Sequence, residues 1–238
     1  MLLFYIRHGD PIYDPDSLTP LGKRQAEALS KRLATFGLDK IYASTSTRAK
    51  ETAMPTAELL KKEIIPCDWA HEGHAWMELS LANDGKNRRW CFADSDALEL
   101  FSTPEMRALG DKWYTHPALE RYGFEKGMKR IDDAVDAFLL SLGYRHDREN
   151  SRYEEINENN ERVALFAHQG FGMAFFSSML DIPYPMFCSH FDFSHSSMSV
   201  IDFKKRGKFI YPKAIQLSND SHLYREGILT GYNNSVRF

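Results

Sequence analysis

Cysteine is scarce in this 238-residue chain: Cys67, Cys91 and Cys188 are all it has, and no two form a C-x-x-C pair. An odd, scattered set argues against a disulfide framework and against a cysteine zinc site, so a reducing compartment is the simplest expectation. A basic surplus is also lacking. The formal net charge is −3 and the pI about 6.3, without the charge signature of a nucleic-acid binder. No apolar run approaches the ~20 residues needed to cross a bilayer. The apolar N-terminus is short, follows no basic region and meets Arg7 at once, unlike a signal peptide. A soluble, cytoplasmic protein is expected, with neither nucleic acid nor membrane as partner. Internal repeats and low-complexity tails are absent as well.

What is present is enough apolar residue, 43%, for a sizeable core. One domain is expected over 1–238, with an insertion at about 67–126. A monomer and a small homo-oligomer are both compatible with these totals. The run Leu2–Ile6 reads as a buried strand that stops at Arg7-His8-Gly9. Thr19 and Pro20 then suit the cap and first position of a helix whose apolar residues Leu21, Ala28, Leu29, Leu33 and Phe36 share a face, with Gly37 as its stop. KIYAS reads as a second strand. Ser46 or Thr47 can cap a second helix, in which Pro55 removes a hydrogen bond and should bend the axis.

Later segments repeat the theme. GMKRIDDAVDAFLLSLG is an amphipathic helix, RVALFAHQG a buried strand and GMAFFSSMLDI another helix. MSVIDFKK and KFIYPKAIQL read as a hairpin about Arg206-Gly207, and the polar stretch from Tyr144 to Glu161 as an exposed hairpin or loop. The alternation predicts an α/β three-layer sandwich, a mostly parallel central sheet with helices on both faces, plus the inserted cap-like segment. That segment holds all four tryptophans, Trp69, Trp76, Trp90 and Trp113, which are expected to form its core.

Two strands end in the same grammar. Arg7-His8-Gly9 and His168-Gln169-Gly170 each follow an apolar run, and Arg48 opens the helix after KIYAS. In open α/β sheets ligands sit beyond the carboxyl ends of the strands, and helix N-termini favour anions. Two arginines and two histidines converging there describe a phosphate pocket. Neutral His8 can attack phosphorus, while Arg7, Arg48 and a protonated His168 bear the equatorial charge. A carboxylic acid must protonate the leaving oxygen and later activate water. Four such side chains can replace a metal ion, so no cofactor is expected.

FYIRHGD, LTPLGKRQAEAL, ASTSTRAKETA, FAHQGFG and SNDSHL, in that order, resemble the signatures of the histidine phosphatase superfamily, the phosphoglycerate-mutase-like family. The resemblance implies His8 as nucleophile with Arg7, Arg48 and His168 as phosphate ligands; Gln169, next to His168, is expected to bind phosphate as well. It puts the acid in an L-x-E-like stretch after the second helix, where AWMELS offers Glu78; Glu72 in HEGHA is the runner-up. RHGDPIYD in place of a mutase's RHGES, and Gln169 after the second histidine, argue against phosphoglycerate mutase itself.

Other features read as structural. His71 and His74 lack the i, i+4 spacing of a zinc helix. His190 and His195 read as packing or loop histidines, with His195 the nearer to the site. Lys86, Arg88 and Arg89 read as solvent-facing charges that could reach an anionic leaving group at the pocket rim. The expected activity is a metal-independent phosphatase acting on a small phosphomonoester through phosphohistidine. The alternatives are a mutase-like phosphoryl transferase and a catalytically weak phospho-ligand-binding protein.

Overall fold

The computed structural model describes residues 1–82 and 88–230. The central sheet carries six strands: β1 (Leu2–Arg7), β2 (Lys40–Ser44), β3 (Ile64–Cys67), β4 (Arg162–Ala167), β5 (Met198–Asp202) and β6 (Lys213–Asn219). Their spatial order is β6-β5-β1-β4-β2-β3. β1, β4, β2 and β3 run parallel; β5 joins β1 antiparallel, and β6 joins β5 antiparallel and so runs with β1. The expected α/β sandwich with a mostly parallel sheet is what the chain forms.

Side chains alternate along β1. Leu3 and Tyr5 enter one core and Phe4 and Ile6 the other, as the two-residue period of a strand requires. The second core is closed by α1 (Pro20–Phe36) and α2 (Thr47–Leu60), through Leu29, Leu33, Ala53 and Ala57. The first is closed by α4 (Phe124–Ser141) and α5 (Gln169–Leu180), through Ile131, Val135, Phe171 and Phe175. The short α3 (Glu72–Glu78) lies between α2 and α4 in the chain. Among the described residues no helix is long and apolar enough to cross a membrane.

Local expectations hold at the helix starts. Thr19 Oγ1 accepts from Gly22 N at 3.0 Å, and Ser46 Oγ from Ala49 N at 3.4 Å. α2 continues through Pro55. Two expectations need correction. KFIYPKAIQL is not one strand: Phe209–Ile210 closes a small hairpin with Lys205–Arg206 in a separate four-stranded sheet, and only Lys213–Asn219 joins β5. Pro212, which lacks a donor, separates the two. The Tyr144–Glu155 hairpin is not wholly exposed either: the His146 side chain and Tyr153 are buried, because its charged residues pair with one another and with α4. The 67–126 segment contains short helices at Ser95–Phe101 and Pro104–Leu109, with Trp113 buried among Phe101, Phe124 and Tyr184.

Candidate active site

Strand register decides the centre of the site. β1 and β4 pair in parallel with Arg7 opposite Ala167, so the next residues of the two strands, His8 and His168, emerge side by side. His8 N extends the ladder by donating to Ala167 O at 3.0 Å. The imidazole centroids lie 5.2 Å apart at the carboxyl edge of the sheet. β2 ends at the same edge, and its Ser44 Oγ meets His168 Nε2 at 2.8 Å. Tyr5, one turn of the pleat below, donates from its hydroxyl to His168 O at 2.5 Å and fixes the first turn of α5 from beneath.

The hydrogen bonds assign both tautomers. Gly9 O can only accept, so the 2.7 Å contact with His8 puts the proton on Nδ1 and leaves the Nε2 lone pair free to attack. Burial, then the charge of Arg7, pulls the His8 pKa well below the usual imidazole range, which keeps that lone pair available. Arg48 can only donate, so its 3.2 Å contact leaves His168 Nδ1 as an acceptor, with the proton on Nε2 toward Ser44. Burial and the neighbouring His8 likewise push His168 well below its ordinary value. The expected protonated His168 therefore needs a bound oxyanion to offset burial and the neighbouring positive charges.

Arg48 is nearly buried, and Asp16 takes its other arm at 2.6 Å. The same carboxylate accepts from Thr47 N at 2.6 Å, so Asp16 ties the start of α2 to the short hairpin Pro11–Leu18. Arg48 Nε is buried and has no hydrogen-bond partner among the described residues, a donor that an oxyanion in the pocket can satisfy. Arg7 donates to Phe193 O and, at 2.8 Å, to His195 Nε2. His195 thus joins the site through Arg7, and its Nδ1 lies 3.5 Å from Asp10 Oδ1. Burial, then Arg7, lowers its pKa to about 4. The SNDSHL segment supports this side. Ser218 Oγ accepts from Ser194 N at 2.8 Å, His222 Nε2 lies 3.0 Å from Ser196 Oγ, and Ser196 N donates to His8 O at 3.0 Å.

The carboxylate at the pocket is Glu72. Its two oxygens accept from Gly170 N and Phe171 N, each at 3.0 Å, in the first turn of α5. Burial raises its pKa against the lowering pull of those two amides. Glu78 is six residues further along α3 and lies outside the pocket lining. Its carboxylate is held by Arg130 Nε at 2.6 Å. The expected placement of Glu78 is corrected on that geometry. Gln169 does line the pocket, with its amide donating to Asp192 Oδ1 at 2.5 Å.

These groups enclose a cavity of about 480 Å³ lined also by Tyr13, His71, Trp76 and Trp90. Two of the four tryptophans thus wall the pocket instead of filling the inserted segment's core. The sequence carried a signal for Trp76, which follows Glu72 at i+4 and must share its helix face; nothing comparable marked Trp90, Tyr13 or Asp16. Arg88 is spent on Trp76 O, Met77 O and Ser80 Oγ, and Arg89 on Asp94, so neither reaches the rim. Lys86 lies outside the described residues. Among those residues no cluster of His, Cys, Asp or Glu is spaced to hold a metal ion. As built, the site can cradle one oxyanion beside the His8 nitrogen, with a protonatable carboxyl in the same lining.

Residues 3–91 match the family model of the histidine phosphatase superfamily (branch 1). Over 81 residues the chain is 37% identical to the mitochondrial serine/threonine-protein phosphatase Pgam5 of Drosophila yakuba, a match covering 30% of this chain and only 28% of that protein. The fold is similar to that of a phosphoserine phosphatase from Entamoeba histolytica, with a TM-score of 0.58 at 16% identity over 93% of this chain and 98% of the other. It is similar also to a mycobacterial glucosyl-3-phosphoglycerate phosphatase, with a TM-score of 0.56 at 17% identity over 90% and 97%. At such identities these two likenesses speak for the fold alone. The family-model match spans both arginines and the first histidine, so the N-terminal part of the chain is similar to the histidine phosphatase superfamily, and the fold of the whole is similar to that of these phosphatases.

Proposed function

We propose that the protein is a phosphatase that hydrolyses a phosphomonoester through a phosphohistidine at His8. The observation that carries this reading is the assignment of the His8 proton to Nδ1, which leaves Nε2 as a nucleophile facing the Arg7–Arg48 pocket. The Nε2 lone pair forms the P–N bond as the ester P–O bond breaks, and the leaving oxygen takes the Glu72 proton. Arg7 and Arg48 stabilise the equatorial oxygens. The incoming dianion satisfies Arg48 and favours protonation of His168, which then donates as well. A water next gives its proton to Glu72 and attacks phosphorus, and the P–N electrons return to Nε2.

The test is His8→Ala with phosphate release followed on several phosphomonoesters. Loss of about 10³-fold or more in kcat is expected, together with loss of an acid-labile, alkali-stable phosphorylated enzyme seen on acid–base quench of the wild type. Added chelator should leave the wild-type rate in place. Undiminished turnover by the variant rejects the mechanism.

A further inference from the structure

The route of the leaving group follows from the proposed mechanism, on which this inference rests. In an in-line displacement the leaving oxygen lies opposite His8 Nε2 and within reach of Glu72. Whatever carbon it carries therefore meets the next part of the wall beyond Glu72. That wall is aromatic. Trp76 stands one helical turn after Glu72 on the same face of α3. Trp90 packs edge-on against it, with centroids 5.0 Å apart. Trp90 is held in turn by stacking on Phe92 at 5.3 Å and by close contact with α5. A Cβ at Gly170 would fall 2.4 Å from the Trp90 ring, so the glycine is what admits the indole beside the phosphate end. Both tryptophans are half-buried and line the cavity. Tyr13 forms the far lip, over the Arg48 guanidinium at 5.4 Å.

The charges at the pocket point the same way. Among the described lining residues Arg7 and Arg48 are the only side chains with a fixed positive charge, and both belong to the phosphate end. The other ionisable groups on or beside the lining are acidic: Asp16 paired with Arg48, Glu72, which carries its proton when substrate binds, and Asp192 at the tip of Gln169. A leaving group carrying a carboxylate or a second phosphate would meet Asp192 and, once its proton has left, Glu72, with no further cation among the described lining residues to receive it, at a cost in desolvation and repulsion. A flat, uncharged group would instead stack on indole.

We infer that the substrate class is the phosphomonoester of an aromatic, uncharged alcohol, bound with its ring against Trp76 and Trp90. The test holds leaving-group chemistry nearly constant by comparing primary alkyl phosphates. The pair benzyl phosphate and glycerol 1-phosphate differs in the ring, and 3-phosphoglycerate adds a carboxylate. Wild-type kcat/KM should be at least about tenfold higher for benzyl phosphate than for glycerol 1-phosphate, and lowest for 3-phosphoglycerate. Trp76→Leu should reduce the benzyl-to-glycerol ratio about fivefold or more. A measurement independent of that variant's folding is calorimetric binding of phosphonates to the wild type, where benzylphosphonate should bind about tenfold tighter than ethylphosphonate and quench tryptophan fluorescence. Equal or better turnover of 3-phosphoglycerate, an unchanged ratio in Trp76→Leu, or equal phosphonate affinities overturn the inference. The phosphatase reading is judged separately, by whether His8→Ala abolishes turnover of whichever ester is cleaved best.

Discussion

A carboxyl group that must give and then take a proton works best when its pKa is raised toward the working pH, and position alone separates the two candidates on α3. Glu72 touches the pocket and is raised by burial; Glu78 is tied to Arg130 outside it. Glu72→Gln should lower kcat by about 10²- to 10³-fold and remove the alkaline limb of the pH profile, because that limb records deprotonation of the acid. The raised pKa puts the limb above the ordinary carboxylate range. His8, whose pKa is lowered, keeps its neutral form and hence the acid side of the profile below the ordinary imidazole range. Glu78→Gln should leave kcat nearly unchanged and cost about 1 kcal/mol of stability, since its ion pair is partly solvated. Steady-state rates across pH and urea titrations read both. The histidines and Arg48 were legible in the sequence because each sits where a strand or helix ends, which local pattern marks well. Glu72 was harder to choose because α3 is short and both glutamates lie on it. Only tertiary contact with the start of α5 tells them apart.

At the scale of elements, the site depends on how closely α1 approaches the end of β1. A Cβ on Gly22 would lie 2.2 Å from Asp10 O, and one on Gly9 2.7 Å from Gly22 O. Two backbones touch here, and Thr19 N donating to Asp10 O at 3.0 Å holds them. Gly22→Ala should force α1 away from the Arg7–Asp10 segment, cost about 2–3 kcal/mol in urea unfolding and lower kcat/KM, because His8 Nδ1 is oriented by Gly9 O. Wild-type stability and activity in that variant would remove the close approach from the account. This contact explains why LTPLG accompanies RHG: the second glycine serves the first. Element types were readable because strands and long helices carry their own periodicity, as in Leu2–Ile6 and Ile131–Leu139. The division of KFIYPKAIQL between two sheets was not, since strand partnership across the chain leaves no local trace.

For the whole molecule, α5 is the member that joins the site to the rest, and it is fastened at both ends. Glu72 holds its N-terminus at the pocket. Beyond its C-terminus, Asp181 Oδ2 meets His146 Nε2 at 3.0 Å, while His146 Nδ1 meets Asp136 Oδ1 of α4 at 2.9 Å. The ring stacks on Tyr153 with a centroid distance of 4.0 Å, and Arg148 bonds Asp136 at 2.8 Å and Ser178 Oγ at 2.9 Å. Burial opposes a charge on His146, but the hydrogen bonds to Asp136 and Asp181 outweigh it and raise the pKa above 6.5. A raised folded-state pKa gives stability that is fully present below the unfolded value and fades as pH climbs through the folded one. His146→Gln should therefore destabilise by about 2 kcal/mol near pH 6, less than a fully buried pair because Asp136 is partly solvated. The deficit should shrink as pH rises through the folded pKa. His8, His168, His195 and His222, whose pKa values are lowered, give the opposite slope but are common to both proteins and cancel in the difference. Urea midpoints of wild type and variant from pH 5.5 to 9 measure it, and a pH-independent gap would show that His146 is held neutral. KM should not follow the change in stability, because Glu72 and the amides of Gly170 and Phe171 fix the catalytic end of α5 from the other side of the fold.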